Sequence, residues 1–310
     1  MAVTMPVFFD PAYTATTVAF DTTRKAALVA TRLAAQPRPG VEMVQPRPAT
    51  IEELATVHTG DYLDALVTGR PPGLAASNGI GWDEGLLGAV AASTGGVRDA
   101  ALTALATGRH AGSLSSGLHH ARADGGRGFC TINGLAVAAR AAVDAGARRV
   151  LVLDLDAHAG GGTATIISSW TSVEQVDVTV CPFDSYDSRP SCRLVISDAD
   201  TYLLDVHAAL DGVTDPTNID LTIYNAGMDP HHRAGGIPGI DTGRLAEREA
   251  VVRSWADHHG IPVAWVLAGG YAGSGGMGKM TPDELVDLHL LTVAAFSPAP
   301  TACPRRAEAR

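Results

Sequence analysis

Side chains able to bind a metal follow a short apolar run in the middle of the chain. Val150 to Leu153 has the length and the branched residues of a buried strand, and Asp154, Asp156 and His158 come directly after it. Alternate residues of an extended chain share a face, so these three side chains can point the same way. Carboxylate and imidazole groups are ligands that Zn²⁺ accepts. The spacing indicates a metal site at the carboxyl end of a strand, where open α/β sheets usually place their chemistry.

Two further strand ends and one loop carry residues of similar chemical character. Asp229 and Tyr271 each follow a predicted strand, and His119 and His120 are adjacent in a loop-like segment. Each also has an ordinary structural explanation, because strand-end aspartates cap helices, adjacent histidines are often surface residues and Gly-Gly-Tyr forms tight turns. Their joint placement at the carboxyl edge of one sheet favours a shared site.

Together these residues supply the parts of metal-assisted amide hydrolysis. Three ligands leave a position open for water and a substrate carbonyl, and a metal lowers the pKa of its bound water from about 15.7 towards 7. A histidine pair can take the water proton and return it to the departing amine, and a tyrosine hydroxyl can donate a hydrogen bond to the tetrahedral oxyanion. The predicted assignments are Asp156, His158 and Asp229 as ligands, His119 and His120 as proton carriers, Tyr271 as oxyanion donor and Asp154 as the partner of one imidazole.

The elements that must position these residues alternate between short apolar strands and helices. The predicted strands are 7–9, 42–44, 150–153, 176–180, 193–196, 221–224 and 262–267, and the predicted helices include 23–35, 61–67, 84–108, 133–144, 200–210, 244–258 and 281–296. Thr50 and Glu53 have the spacing of a capping box that opens a further helix, whereas 68–83 and 111–130 are predicted loops. The alternation predicts one domain, a three-layer α/β/α fold with a mainly parallel, doubly wound sheet.

The composition narrows the class of protein. Of the 310 residues 46% are hydrophobic and 18% charged, which is typical of a globular chain and not of a disordered one. The net charge of −10 argues against non-specific nucleic-acid binding. No apolar run is long enough to cross a membrane, no Lys or Arg precedes Arg24 to form a secretory signal, and the four cysteines form no CxxC pair, so reduced thiols and a cytoplasmic location are expected. Homo-oligomerisation stays open.

Five ordered motifs resemble the zinc-dependent histone deacetylase and acetylpolyamine amidohydrolase family. They are Gly-Leu-His-His-Ala (117–121), Gly-Phe-Cys-Thr-Ile-Asn (128–133), Asp-Leu-Asp-Ala-His (154–158), Ala-Gly-Met-Asp (226–229) and Gly-Gly-Tyr (269–271). The resemblance implies an arginase/deacetylase-like catalytic domain over residues 1–296, followed by a disordered tail at 297–310. It implies one zinc ion per chain held by the same three ligands, and tandem histidines at His119 and His120. It also implies a transition-state donor at Tyr271, with Phe129, Gly128 and Gly269 along a narrow substrate channel. The family often binds a structural potassium ion (K+) near the central strand as well.

Two departures from the family pattern affect the expected site. Gly161 stands where the family usually has the polar partner of the second tandem histidine, so we expect His120 to be loosely oriented and less basic. Asp154, the partner matched to His119, is present. The loop after the strand at 176–180 is much shorter than the family segment that normally supplies an aromatic wall, which alters the substrate rim.

Three functions remain in competition. The preferred one is a zinc-dependent deacetylase-like amidohydrolase that cleaves the linear N-acyl amide of a small amine or lysine-like substrate. A binuclear manganese ureohydrolase needs additional carboxylates beside Asp229, which the sequence does not supply there. The third is a catalytically weak relative that binds an acyl ligand or a partner, and Gly161 together with the altered rim keeps this alternative open.

Overall fold

One parallel sheet carries the candidate site residues at its carboxyl edge. The computed structural model describes residues 4–18, 21–273 and 278–298. The strands are β1 (Met5–Phe8), β2 (Val41–Val44), β3 (Ala111–Ser113), β4 (Val150–Asp154), β5 (Val173–Thr179), β6 (Cys192–Ile196), β7 (Leu221–Ala226) and β8 (Val263–Leu267). They form an eight-stranded sheet in the order β2-β1-β3-β8-β7-β4-β5-β6, and every neighbouring pair is parallel.

Helices cover both faces of this sheet because the strand residues alternate between two apolar layers. The helices are α1 (Asp21–Ala35), α2 (Ile51–Ala55), α3 (Gly60–Thr68), α4 (Pro72–Ala75), α5 (Leu86–Thr107), α6 (Gly134–Asp144), α7 (Gly161–Ile166), α8 (Tyr202–Asp211), α9 (Thr242–His259) and α10 (Pro282–Phe296). Val150 and Val152 of β4 pack in one cluster with α5 and α6. Leu151 and Leu153 pack in the opposite cluster with α1, α8, α9 and α10. The predicted three-layer, doubly wound α/β architecture is therefore confirmed.

The predicted elements match the structure with one substantial error. The segment predicted as a loop at 111–130 contains β3, which lies inside the sheet between β1 and β8. A Cβ at Gly112 would lie 2.0 Å from the Trp265 ring, so this strand is built from small residues that let the indole pack against its backbone. The loop at 68–83 also includes the single turn α4, and the capping box of Thr50 and Glu53 is confirmed.

Two other expectations concern the cysteines and membrane-spanning segments. Cys130, Cys181 and Cys192 are free thiols, and Cys303 lies outside the described residues with most of the predicted tail. Within the ranges given above, no helix combines the length and the hydrophobicity needed to cross a membrane.

Candidate functional site

A cluster of two carboxylates and one imidazole lies where the carboxyl ends of β4 and β7 meet. Asp156 and His158 follow β4 and Asp229 follows β7, and these two strands are hydrogen-bonded neighbours. His158 Nδ1 lies 3.2 Å from an oxygen of Asp156 and 3.2 Å from Asp229 Oδ2. One potential ligand atom from each residue lies within 4.8 Å of the others. The sequence-predicted ligand set is thus brought together.

The donor set fits a cation. Asp229 Oδ2 is buried and receives no hydrogen bond, although Oδ1 of the same carboxylate accepts the Ala157 N–H at 2.9 Å. Burial would lower the pKa of His158, but the close approach and the negative charge of Asp156 and Asp229 outweigh it and raise this pKa to about 11. The protein thus concentrates negative charge around one point, and a divalent cation would compensate that charge.

The backbone at position 269 passes so close to this cluster that only glycine fits there. A Cβ there would lie 2.0 Å from Asp229 Oδ2 and 2.6 Å from Asp156 Oδ2. Instead the Gly269 N–H donates to Asp156 Oδ2 at 2.6 Å. The strand end of β8 therefore orients one of the candidate ligands, and it leads directly to Tyr271.

The tandem histidines form a buried pair with a carboxylate on each side. His119 Nδ1 lies 2.7 Å from Asp154 Oδ2, as the sequence predicts, and His120 Nδ1 lies 3.0 Å from Asp184 Oδ2. The two Nε2 atoms are 3.1 Å apart. Because a carboxylate only accepts, each Nδ1 carries a proton, and a hydrogen bond between the two Nε2 atoms requires a further proton on one of them.

The two imidazoles differ in the pKa that their surroundings impose. Burial would lower the pKa of His119, but the charges of Asp154 and Asp156 and the hydrogen bond to Asp154 raise it to about 10. Burial, and then the positive charge of His119, lower the pKa of His120 to about 4. The surroundings of the pair therefore favour the protonated form of His119 and the neutral form of His120.

The expectation that His120 lacks an orienting partner is wrong. Asp184, in the loop after β5, supplies a carboxylate that Gly161 cannot. Sequence reasoning missed this residue because the family pattern has the partner at position 161, and Asp184 is 64 residues away from His120 in the chain. An acidic residue closely following a buried parallel strand is the signal that could have found it.

Polar side chains behind the site fix its backbone, and two of them were not predicted. Asn133 caps α6 and also donates from Nδ2 to the carbonyl oxygens of His119 and Ala121, at 3.2 and 3.0 Å. Asn225, the last but one residue of β7, donates to Asp154 Oδ1 at 2.9 Å. These contacts hold the histidine segment against the strand that precedes two of the candidate ligands.

A narrow cavity joins the predicted groups. His119, His120, Asp156, His158 and Tyr271 all line it, together with Ser116, Leu118, Gly128, Cys130, Asn225, Ala268 and Gly269. Its volume of about 20 Å³ has room for roughly one water molecule. Gly128 and Gly269 thus lie in the cavity wall, and Phe129 adjoins Gly128.

An aromatic ring that sequence reasoning missed packs against two of the histidines that line the cavity. Phe183 is 41% exposed and meets the rings of His120 and His158 edge-on, with centroid distances of 4.9 and 6.0 Å. The guanidinium of Arg127 lies 5.4 Å from the Phe183 ring centroid. The short loop after β5 thus still provides an aromatic wall.

Comparison with known proteins places this geometry in a family. The sequence model described as "Histone deacetylase domain" matches residues 19–188, which is 170 of the 310 residues. The chain belongs to the histone deacetylase family. An uncharacterized protein of Picosynechococcus sp. is 34% identical over 239 residues, which cover 74% of this chain and 79% of that protein.

Other family relatives match over shorter stretches. Acetoin utilization protein AcuC of Bacillus subtilis is 32% identical over 172 residues, covering 52% of this chain and 40% of AcuC. Acetylpolyamine amidohydrolase 2 of Pseudomonas aeruginosa is 52% identical over 48 residues, covering 16% of this chain and 14% of the relative. The chain thus spans less than half the length of these two relatives.

A solved structure supports the same fold. The crystal structure of the HDA15 HD domain superposes with a TM-score of 0.71 at 21% identity, covering 94% of this chain and 90% of that one. Family membership makes the chain a deacetylase-like hydrolase and suggests a metal ion, typically zinc, for which Asp156, His158 and Asp229 form the candidate site.

Proposed function

We propose that this protein is a zinc-dependent amidohydrolase that removes an acyl group from a small amine or a lysine-like side chain. The observation that carries the proposal is the convergence of the Asp156, His158 and Asp229 cluster with the tandem histidines and Tyr271 around one narrow cavity. Membership of the histone deacetylase family supports the same chemistry.

The three clustered side chains would hold one zinc ion. Bound there, zinc would polarise the substrate carbonyl as a Lewis acid and lower the pKa of a coordinated water. Asp229 Oδ2, which lacks a hydrogen bond, and His158 Nδ1 are the atoms available to bind it. The Gly269 N–H stays on Asp156 Oδ2 and fixes the rotamer of that carboxylate.

The tandem histidines would manage the protons of hydrolysis. Neutral His120 accepts a proton at Nε2, while His119 carries one at its own Nε2 and can give it to the departing amine. Asp154 holds the Nδ1 proton of His119 and stabilises its imidazolium form. Placing two imidazoles of opposite protonation side by side lets the pair act as base and acid within one turnover.

Tyr271 and the cavity wall would bind the substrate. The Tyr271 hydroxyl would donate a hydrogen bond to the tetrahedral oxyanion of the substrate, since Tyr271 lines the same cavity as Asp156 and His158. Gly128, Gly269 and Phe129 would line the approach for the acylated arm, with the Phe183 ring as an apolar wall. A cavity this small favours a linear, slender amide over a bulky one.

The competing functions lose their main support. A missing partner for His120 was one of the two features that favoured a catalytically weak acyl-binding protein, and Asp184 occupies the place of that partner. In the described part of the chain, the one acidic or histidine cluster able to bind a metal contains just Asp156, His158 and Asp229, too few carboxylates for a pair of manganese ions.

Metal stoichiometry and a substrate panel separate the three functions. We expect about one tightly bound zinc per chain and zinc-dependent release of acetate from acetyl-lysine or acetylpolyamines. Two manganese ions per chain would indicate a ureohydrolase. One zinc without turnover on a broad panel of acylated amines would indicate a binding protein.

A structural potassium ion, a cytoplasmic location and the oligomeric state stay predictions.

A further inference from the structure

Asp184 occupies the place of the polar partner of His120, which the family resemblance puts at position 161. Its turn is closed by a hydrogen bond from the Ser185 N–H to the Pro182 carbonyl at 3.2 Å, and its side chain is 1% exposed. Oδ2 accepts the Nδ1–H of His120 at 3.0 Å and the N–H of Gly162 at 3.1 Å. We infer that Asp184 is the positioning residue of His120, replacing a side chain at position 161; the inference rests on the proposed function.

Two arginines hold the other oxygen of this carboxylate. Arg122 donates to Asp184 Oδ1, and Arg127 Nε lies 3.1 Å from the same atom. Burial would raise the pKa of Asp184, but the His120 hydrogen bond and the two guanidinium charges lower it overall. The two guanidinium groups therefore keep Asp184 in its charged form, and a charged carboxylate is a stronger acceptor for the His120 Nδ1–H than a neutral amide.

Gly161 leaves the space that the turn carrying Asp184 occupies. A Cβ at position 161 would lie 2.1 Å from the Asp184 carbonyl oxygen and 2.9 Å from Asp184 Cγ. A side chain at 161 and the turn that carries Asp184 therefore exclude each other. Arg122 donates to the Gly161 carbonyl as well, so one guanidinium ties both segments together.

The turn is specialised for this role. Asp184 has φ +60°, a left-handed conformation that aspartate tolerates better than most residues but that still needs support from its surroundings. The Gly162 N–H and the two arginines give that support. The segment is therefore held in one conformation before any substrate arrives.

The hydrogen bond to Asp184 determines which tautomer His120 adopts. Because Asp184 only accepts, it keeps the proton on Nδ1 and leaves the Nε2 lone pair facing His119 Nε2 and the cavity. Without that acceptor the ring can rotate or move its proton to Nε2, where it cannot accept another.

Kinetics of Asp184 variants test the inference. We expect Asp184→Ala to lower kcat about 10- to 100-fold, as loss of an orienting partner typically does, with KM and zinc content little changed. Asp184→Asn keeps an oxygen acceptor and should retain more activity. The exposed Asp144→Ala is the matched control and should behave as wild type. In a His120→Ala background, adding Asp184→Ala should cause no further loss; a loss as large as in the single variant would overturn the inference.

Two glycine substitutions, one at position 161 and one control, test the same contact. Gly161→Ala should displace the Asp184 carbonyl and reproduce the kcat loss, whereas Gly88→Ala, with open space at its Cβ, should not. Wild-type kcat in Gly161→Ala and Asp184→Ala would contradict the inference.

A spectroscopic readout separates this inference from the proposed function. In the zinc-loaded protein, ¹⁵N NMR of labelled histidines, with His120 assigned through its alanine variant, should show protonated Nδ1 and unprotonated Nε2. Asp184→Ala should move the proton or mix the tautomers; an unchanged tautomer would refute the role of Asp184. This result holds even if wild type releases no acetate, an outcome that would overturn the proposed function alone.

Discussion

Arg248 on α9 is a fully buried cation whose removal should destabilise the protein and loosen the ligand loops. Its guanidinium donates to the carbonyl oxygens of Leu155 and Gly227, at 3.1 and 2.7 Å. Leu155 lies between Asp154 and Asp156, and Gly227 lies two residues before Asp229. Arg248 also donates to Glu249 Oε1 at 2.6 Å, and both side chains are at most 1% exposed. One side chain thus connects both strand ends that carry candidate ligands.

The magnitude follows from what Arg248→Met leaves behind. Glu249 would keep a buried charge without a cation, which costs about 3–5 kcal/mol. Each carbonyl oxygen that loses its donor adds up to about 1–3 kcal/mol, although these contributions do not sum fully. We therefore expect a loss of at least about 3 kcal/mol in the free energy of unfolding.

A second substitution tests the cause. In Arg248→Met/Glu249→Gln the uncompensated charge is gone, while a Gln oxygen can still accept from Tyr224, whose hydroxyl now donates to Glu249 at 2.8 Å. The double variant should be more stable than Arg248→Met alone. Arg140→Met, which removes an exposed ion pair with Asp144, is the control and should cost about 0.5 kcal/mol or less.

Urea unfolding of the three variants, with zinc content measured in parallel, gives the answer. The Arg248→Met variant should also bind zinc more weakly, because both ligand loops lose an anchor. A loss below about 1 kcal/mol for Arg248→Met, or a double variant less stable than the single one, would refute the reasoning.

Three other predictions concern the site and its surroundings. Tyr271→Phe should lower kcat by about 10²- to 10³-fold, as removal of an oxyanion donor does, and leave zinc content unchanged; equal loss of both would refute its role. Asp229→Ala should lose zinc, measured by metal analysis of the purified protein, and normal zinc content would remove Asp229 from the ligand set. Burial lowers the pKa of His58 to about 4, so its neutral form stabilises the fold fully above its unfolded pKa of about 6.5, and this contribution of about 3 kcal/mol is lost as pH falls towards 4. His58→Gln should therefore show a weaker decline in stability between pH 6.5 and 4, and an unchanged decline would contradict the assignment.

The ligand cluster could be predicted because parallel strands bring their carboxyl ends to one edge. Asp156, His158 and Asp229 follow strands whose apolar runs are visible in the sequence, and their meeting follows from the sheet alone. The partner of His119 was predicted for the same reason, since Asp154 ends β4.

The features that could not be predicted from the sequence share a physical cause. β3 lacks the branched apolar residues of a strand and exists because Gly112 accommodates the Trp265 ring. Asp184 reaches His120, 64 residues away in the chain, through a left-handed loop residue whose conformation depends on the segments packed around it. Arg248 acts on carbonyl oxygens up to 93 residues away in the chain. In each case a contact between distant segments determines the outcome, and periodicity does not record such contacts.

Zinc titration of the metal-free protein, followed by acetate release, tests the central claim most directly. With an acetyl-lysine or acetylpolyamine substrate, the rate should rise in proportion to added zinc and level off at about one equivalent per chain. Asp229→Ala should show no such rise. Acetate release that never follows zinc, or saturation that requires two manganese ions, would contradict the assignment of this site as a single-zinc amidohydrolase centre.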